Sequence, residues 1–230
     1  MKNQKHFIRN KIVLLSFSVA TSLLLFSCTK QNTDTPAPAS FAYKLKTANT
    51  SSSITGTMGG TLQWTSGYAS VTEIEFEAKK QGLEIEYKTE VKQKINLFSP
   101  LSSLGLIAVP DGTYDDIKFE VEVQPNGSDA ALELKGSFLN GNGVNTPVIL
   151  KLIAGMEIES KKENIIISNA NSHIATTTLN LSLIAKGVTE GMLNNATRNN
   201  GTIELSATSN TPVYEIMLKN LKECGGVQID

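Results

Sequence analysis

The chain has little of what usually does chemistry. Two cysteines, Cys28 and Cys224, and two histidines, His6 and His173, occur in 230 residues. A histidine-rich metal site and the H-E-x-x-H zinc motif are therefore excluded, and any Ser-His-Asp arrangement would rest on His173 in "NANSHIATTT". No G-x-x-x-x-G-K-[ST] phosphate loop is present, and "GNGVNT" lacks the third glycine and the helix of a dinucleotide fingerprint. The expectation is a protein that is not an enzyme, with no catalytic residue, no cofactor and no metal. Aromatic residues make up 6 % of the chain, with Trp64 the single tryptophan. Ile12 to Phe26 is an uncharged apolar run. At about 1.5 Å per residue it covers about 22 Å, short of the roughly 30 Å hydrocarbon core that a permanent membrane helix must cross.

That run belongs to a targeting segment. Lys2, Lys5, Arg9 and Lys11 make a basic start, and the run ends at Leu25-Phe26-Ser27-Cys28. The quartet resembles the lipobox of bacterial lipoproteins. The resemblance implies cleavage before Cys28, acylation of its thiol and acylation of the new amino terminus. Two or more acyl chains hold a protein stably to a membrane where one does so only marginally. Residues 1–27 are then a signal peptide, 28–40 a lipidated tether, and 41–230 a folded domain. The tether, "TKQNTDTPAPAS" after the cysteine, holds two prolines and no large apolar residue, so it is expected to stay extended. Thr29 is not the aspartate that retains lipoproteins at the inner membrane of enteric bacteria. The resemblance thus implies a lipid-anchored protein of the cell outer membrane, on either its periplasmic or its surface face.

Cleavage removes four of the 21 basic residues and none of the 22 acidic ones, leaving 17 against 22. Nucleic acid, which needs a basic face, is not an expected partner. With Cys28 committed to lipid, Cys224 has no disulfide partner within the chain.

From Phe41 onward the period is two, the mark of strands with one buried face. Ile74, Phe76 and Ala78 alternate with Glu73, Glu75 and Glu77. Beyond Lys79-Lys80-Gln81-Gly82, Leu83, Ile85 and Tyr87 alternate with Glu84, Glu86 and Lys88. A four-residue loop puts Phe76 opposite Ile85 and Glu77 opposite Glu84. A two-residue slip instead pairs Lys79 with Glu84 and Glu75 with Lys88, which is electrostatically better. A second hairpin is read from Ile117 to Val123, through Pro125-Asn126-Gly127, to Leu132–Phe138, with Phe119 over Gly136. Further strands are expected at 41–46, 61–65, 94–98, 148–154, 164–168 and 176–185, and the sum suggests an antiparallel β-sandwich. The end of the chain, about 188–224, reads as helical: 188–196 and 212–223, the latter with Thr211 as cap, Pro212 in the first turn and Gly225-Gly226 as its stop. Cys224 falls near the apolar stripe of that second helix and is expected to be buried.

Carboxylates are the only abundant reactive groups. Glu75, Glu77, Glu84 and Glu86 come close on neighbouring strands, but on the polar side of the alternation, so a solvated face is expected rather than a glycosidase pair. Asp111, Asp115 and Asp116 in "PDGTYDD" lack calcium-loop spacing and read as a turn. Trp64 and Tyr68, in "QWTSGY" around a Ser-Gly turn, are the candidate ligand-binding residues, because sugar sites stack on exposed rings. The other reading places Trp64 in the core between two sheets.

The order "TLQWTSGYASVTEIEFEAKK", "KINLFSPLSSLGLIAVPDGTYDDIKFEVEV", "SDAALELKGSF" resembles the uncharacterised β-sandwich lipoproteins of Gram-negative envelopes, a domain-of-unknown-function class, over roughly residues 55–160. These are similar in architecture to immunoglobulin-like, transthyretin-like and fimbrillin-like sandwiches. The resemblance implies a lipid-anchored, non-catalytic binding or adhesion module for a glycan or an envelope protein, or else a fimbrillin-like subunit that assembles through added strands.

Overall fold

Strict alternation over long stretches leaves each segment one buried face, and burial of those faces against one another produces two stacked sheets. The computed structural model describes residues 39–100, 102–168 and 173–230, which form thirteen strands and two helices. The expected signal segment 1–27, Cys28 and the expected tether up to residue 38 lie outside the described residues.

The smaller sheet has β1 (Ala39–Ala48) at its centre, flanked by β5 (Ser103–Val109) and by β10 (His173–Asn180), with β13 (Gly225–Ile229) outermost. The larger one is built on β3 (Gly60–Lys80). Around it lie β2 (Ser51–Ile54), β4 (Leu83–Asn96), β6 (Gly112–Val123), β7 (Leu132–Asn140), β8 (Asn145–Leu152), β9 (Met156–Ile167), β11 (Arg198–Asn199) and β12 (Thr202–Leu205). The result is a mainly-β sandwich, not closed into a barrel. Two pairs, β1 with β10 and β8 with β12, run parallel and depart from a purely antiparallel plan.

The layers meet through aromatic rings. Phe41 of β1 stacks on Phe76 of β3 at 6.3 Å, and Tyr43 stacks on Phe119 of β6 at 5.0 Å. Beneath them the Tyr43 hydroxyl bonds Thr177 at 2.6 Å, and Thr177 bonds Ser160 at 2.7 Å, which satisfies three buried hydroxyls among themselves. Burial pushes the Tyr43 phenol above its ordinary pKa.

β3 corrects the reading of two short strands with a Ser-Gly turn between them. It is one strand of 21 residues. Its first half pairs with β2 and β7, its second half with β4 and β6. The register shifts at Thr65 against β7 and at Thr72 against β4 and β6. Each shift changes the parity of the inward positions, from Leu62 and Trp64 to Ala69 and Val71, then to Ile74, Phe76 and Ala78. The same face stays buried while the written pattern breaks twice.

The β3–β4 hairpin adopts the slipped register. Gln81 and Gly82 have φ of 52° and 79°, as a two-residue turn with two left-handed positions requires. Lys79 then faces Glu84, Glu75 faces Lys88, and Phe76 faces Tyr87 rather than Ile85. The second expected hairpin does not form, because β3 pairs with both β6 and β7 and separates them. Gly136 lies opposite Trp64, and Phe119 opposite Phe76 and Ser160. A Cβ at Gly136 would run into the Gln63 carbonyl, so glycine serves backbone approach there and not ring coverage.

Toward the C-terminus, β10 ends at Asn180 and turns follow to Gly187, where a strand to 185 was expected. Helix α1 (Glu190–Asn194) is shorter than expected, while α2 (Thr211–Lys222) keeps the expected twelve residues and begins one residue earlier. The cap of α2 is Asn210, not Thr211. It has φ 51°, and its amide holds the Thr197 and Glu204 carbonyls at 2.9 and 2.8 Å. Gly225 opens a strand instead of only stopping the helix. Strand β5 was not foreseen, and β9 begins eight residues before the expected 164.

Candidate binding face

The half-sheet β4–β3–β6–β9 turns one side to the core and the other to solvent, and the registers fix what lies across each row. On the solvent side the first row is Glu84, Lys79, Asp116, Glu163, and the second is Glu86, Glu77, Lys118, Lys161. The third is Lys88, Glu75, Glu120, Glu159, and the fourth is Glu90, Glu73, Glu122, Glu157. Twelve carboxylates and four lysines thus share one face with a net charge of −8. Neighbouring strands lie about 4.8 Å apart and alternate residues about 6.8 Å apart along a strand. Both spacings are below the roughly 8 Å Debye length of physiological salt, so the charges act as one patch.

The rows differ in how their charges are met. Lys88 sits 3.0 Å from Glu75 and 3.1 Å from Glu86. Lys118 sits 2.7 Å from Glu77 and 2.8 Å from Glu120. Desolvation by the neighbouring side chains raises the Glu75 carboxyl above its ordinary value, against the lowering influence of Lys88. The solvated-face expectation, under which these carboxylates keep ordinary pKa values, is corrected at this residue. A second hydrogen bond from Lys88 lowers Glu86, and one from Lys161 lowers Glu159. Partial burial pulls Lys118 down, but its bonds to Glu120 and Glu77 outweigh it and the net shift is upward. Oxygens of Glu75, Glu77 and Glu120 lie within 4.8 Å of one another. Two ammonium groups already occupy the places beside them, so this arrangement is a set of ion pairs.

No described lysine pairs with the two central glutamates of the fourth row. Four glutamates stand side by side across four strands. Glu90 bonds Lys92 at 2.6 Å at one end, and Glu122 accepts from Gln124 at 2.9 Å and from Thr72 at 3.1 Å. A cleft of about 110 Å³ opens there, lined by Glu73, Glu75, Lys88, Glu120, Glu122 and Glu157. A wider groove of about 510 Å³ runs over the first two rows. A cleft of the smaller size has room for a few waters or one cationic side-chain head.

Tyr68 lies at the end of this face. Lys94 covers its ring at 3.8 Å, and its hydroxyl accepts from the Ala130 amide at 3.2 Å. It borders a shallow groove of about 390 Å³ with Lys94, Asn96, Glu133 and Lys135. Trp64 is not beside it. The bulge at Thr65 turns it inward, where it is 1 % exposed and its Nε1 has no partner among the described residues. The two candidate residues are therefore not brought together, and Trp64 offers no surface to a ligand.

His173 stacks on Phe41 at 5.2 Å, and its Nε2 lies 3.0 Å from the Ser168 carbonyl. Asp115 and Asp116 belong to β6, not to a turn. The Asp111 carbonyl accepts from Lys80 at 2.6 Å, while its Oδ1 is buried without a partner among the described residues. Sequence reasoning found the β3 and β4 carboxylates but missed Glu122, Glu157 and Glu159. The alternation of "FEVEV" and of "MEIESKKE" carried that signal.

No family model, no curated protein and no solved structure matches the chain. Among the described residues no helix is long and apolar enough to cross a membrane.

Proposed function

We propose that the chain is a lipid-anchored lipoprotein of the outer membrane that binds a partner protein on its acidic face and performs no chemistry on it. The lipobox ending at Cys28 supports the anchor. The binding reading rests on the row Glu90, Glu73, Glu122, Glu157. Like charges directly opposite destabilise a sheet, so a row of four is costly unless something cationic meets it. The cleft over that row, lined by five glutamates against the single Lys88, is sized and charged for a lysine or arginine head from a partner. The charged lattice spans about 15 Å by about 20 Å. That is less than the roughly 800 Å² per side of a stable complex, so a partner also covers its neighbours.

The triple variant E73Q/E122Q/E157Q tests this in a binding screen of envelope proteins against the processed chain. Loss of a salt-sensitive interaction supports the reading; an interaction indifferent to both variant and salt contradicts it. A glycan is the second reading, favoured by Tyr68 in its groove. It predicts binding that falls in Y68A and persists in the triple variant. The anchor is tested separately: fatty-acid label must disappear in C28S.

A further inference from the structure

Strand β4 pairs with β3 on one side, and no described strand pairs with its other edge. Its even-numbered residues face solvent and its odd-numbered ones the core side. From Leu83 to Val91 that core side is only partly covered: Leu83 is 71 % exposed, and Ile85, Tyr87 and Val91 are half-buried. A bare edge of this length is a template for another strand. The charges along it say which one. Antiparallel pairing of β4 with a second β4 about Thr89 sets Lys88 opposite Glu90 twice by symmetry, an attractive pair on each side of the axis. The bulge at Val91–Lys92, where Lys92 has φ 47°, bounds this stretch. Shifting by two residues one way puts Lys88 on Lys88 and Glu86 on Glu90, and shifting the other way puts Glu90 on Glu90. At its centre the edge is complementary to itself in one register, while like charges meet there in the two beside it.

We propose that two copies of this chain associate through their β4 edges as a twofold dimer centred on Thr89, which makes one continuous sheet across both. Such an isologous contact uses up both edges and closes, unlike the strand addition of a fimbrillin-like polymer. It is independent of which partner the acidic face takes.

The test uses the full processed chain in detergent micelles. T89C should form an intermolecular disulfide under mild oxidation, as residues opposite in an antiparallel pair lie about 4.5–5.5 Å apart between Cα atoms. K222C on an exposed helix position should not. By sedimentation, K88E should weaken the dimer about tenfold, and K88E/E90K, which restores opposite charges, should recover it. Crosslinking of T89C no greater than of K222C, a single-copy mass at all concentrations, an open series of larger species, or failure of the double variant to rescue would each overturn the proposal.

Discussion

At the scale of single residues, environment decides the role of each uncommon side chain. Trp64 sits opposite Gly136, whose missing side chain lets β3 and β7 approach. W64A should cost about 3–5 kcal/mol of stability by urea unfolding, as loss of a buried aromatic does. The Cys224 thiol donates to the Leu221 carbonyl at 3.3 Å, and burial pushes its pKa up to about 12. Since the thiolate is the nucleophile, alkylation at pH 8 should be negligible in the folded protein and complete in urea; fast labelling of the folded form would refute this burial. For Glu75 the folded carboxyl is raised, so it holds its proton more tightly than the unfolded chain does. Its contribution favours the fold at low pH and is lost as pH rises through the folded value. For Glu86 and Glu159 the shift is downward, and their contribution is lost as pH falls. Carbon-detected titration should place Glu75 above 4.5 and Glu86 below it. Cys224 was legible from its helical spacing to Leu221. For Trp64 the core reading holds over the site reading, although "QWTSGY" reads as a turn unless the bulge at Thr65 is known.

At the scale of elements, local charge pairing was readable and long-range strand order was not. The slipped β3–β4 register follows from Lys79–Glu84 and Glu75–Lys88, both visible in the sequence and realised at 3.6 and 3.0 Å. Gly82 at φ 79° is what that two-residue turn demands. G82A should therefore destabilise by about 1 kcal/mol, measured by thermal or urea unfolding, without altering the fold. The β6–β7 pairing expected from sequence failed for a reason no local pattern carries. Strand β3 is long enough to pair β7 with its first half and β6 with its second. Its bulges at Thr65 and Thr72 break the alternation that would have announced one strand. Asn210 as the cap of α2 was equally hidden, since its partners Thr197 and Glu204 lie on separate segments.

At the scale of the molecule, the sandwich class was legible from alternation alone, and the acidic face was half legible. Its β3 and β4 carboxylates stand in the sequence as alternating glutamates. Their alignment with Glu122 and Glu157 needs the order β4–β3–β6–β9, which only tertiary pairing sets. The face carries −8 while residues 28–230 carry 17 basic against 22 acidic residues, so the remainder of that stretch is net positive. Such polarity would steer the proposed basic partner onto that side. The most direct measurement is partner binding by the processed protein and by E73Q/E122Q/E157Q across a salt series. The account predicts that affinity for the envelope partner falls at least about tenfold in the variant, with a flatter salt dependence. Equal affinity and an equal salt slope would contradict it.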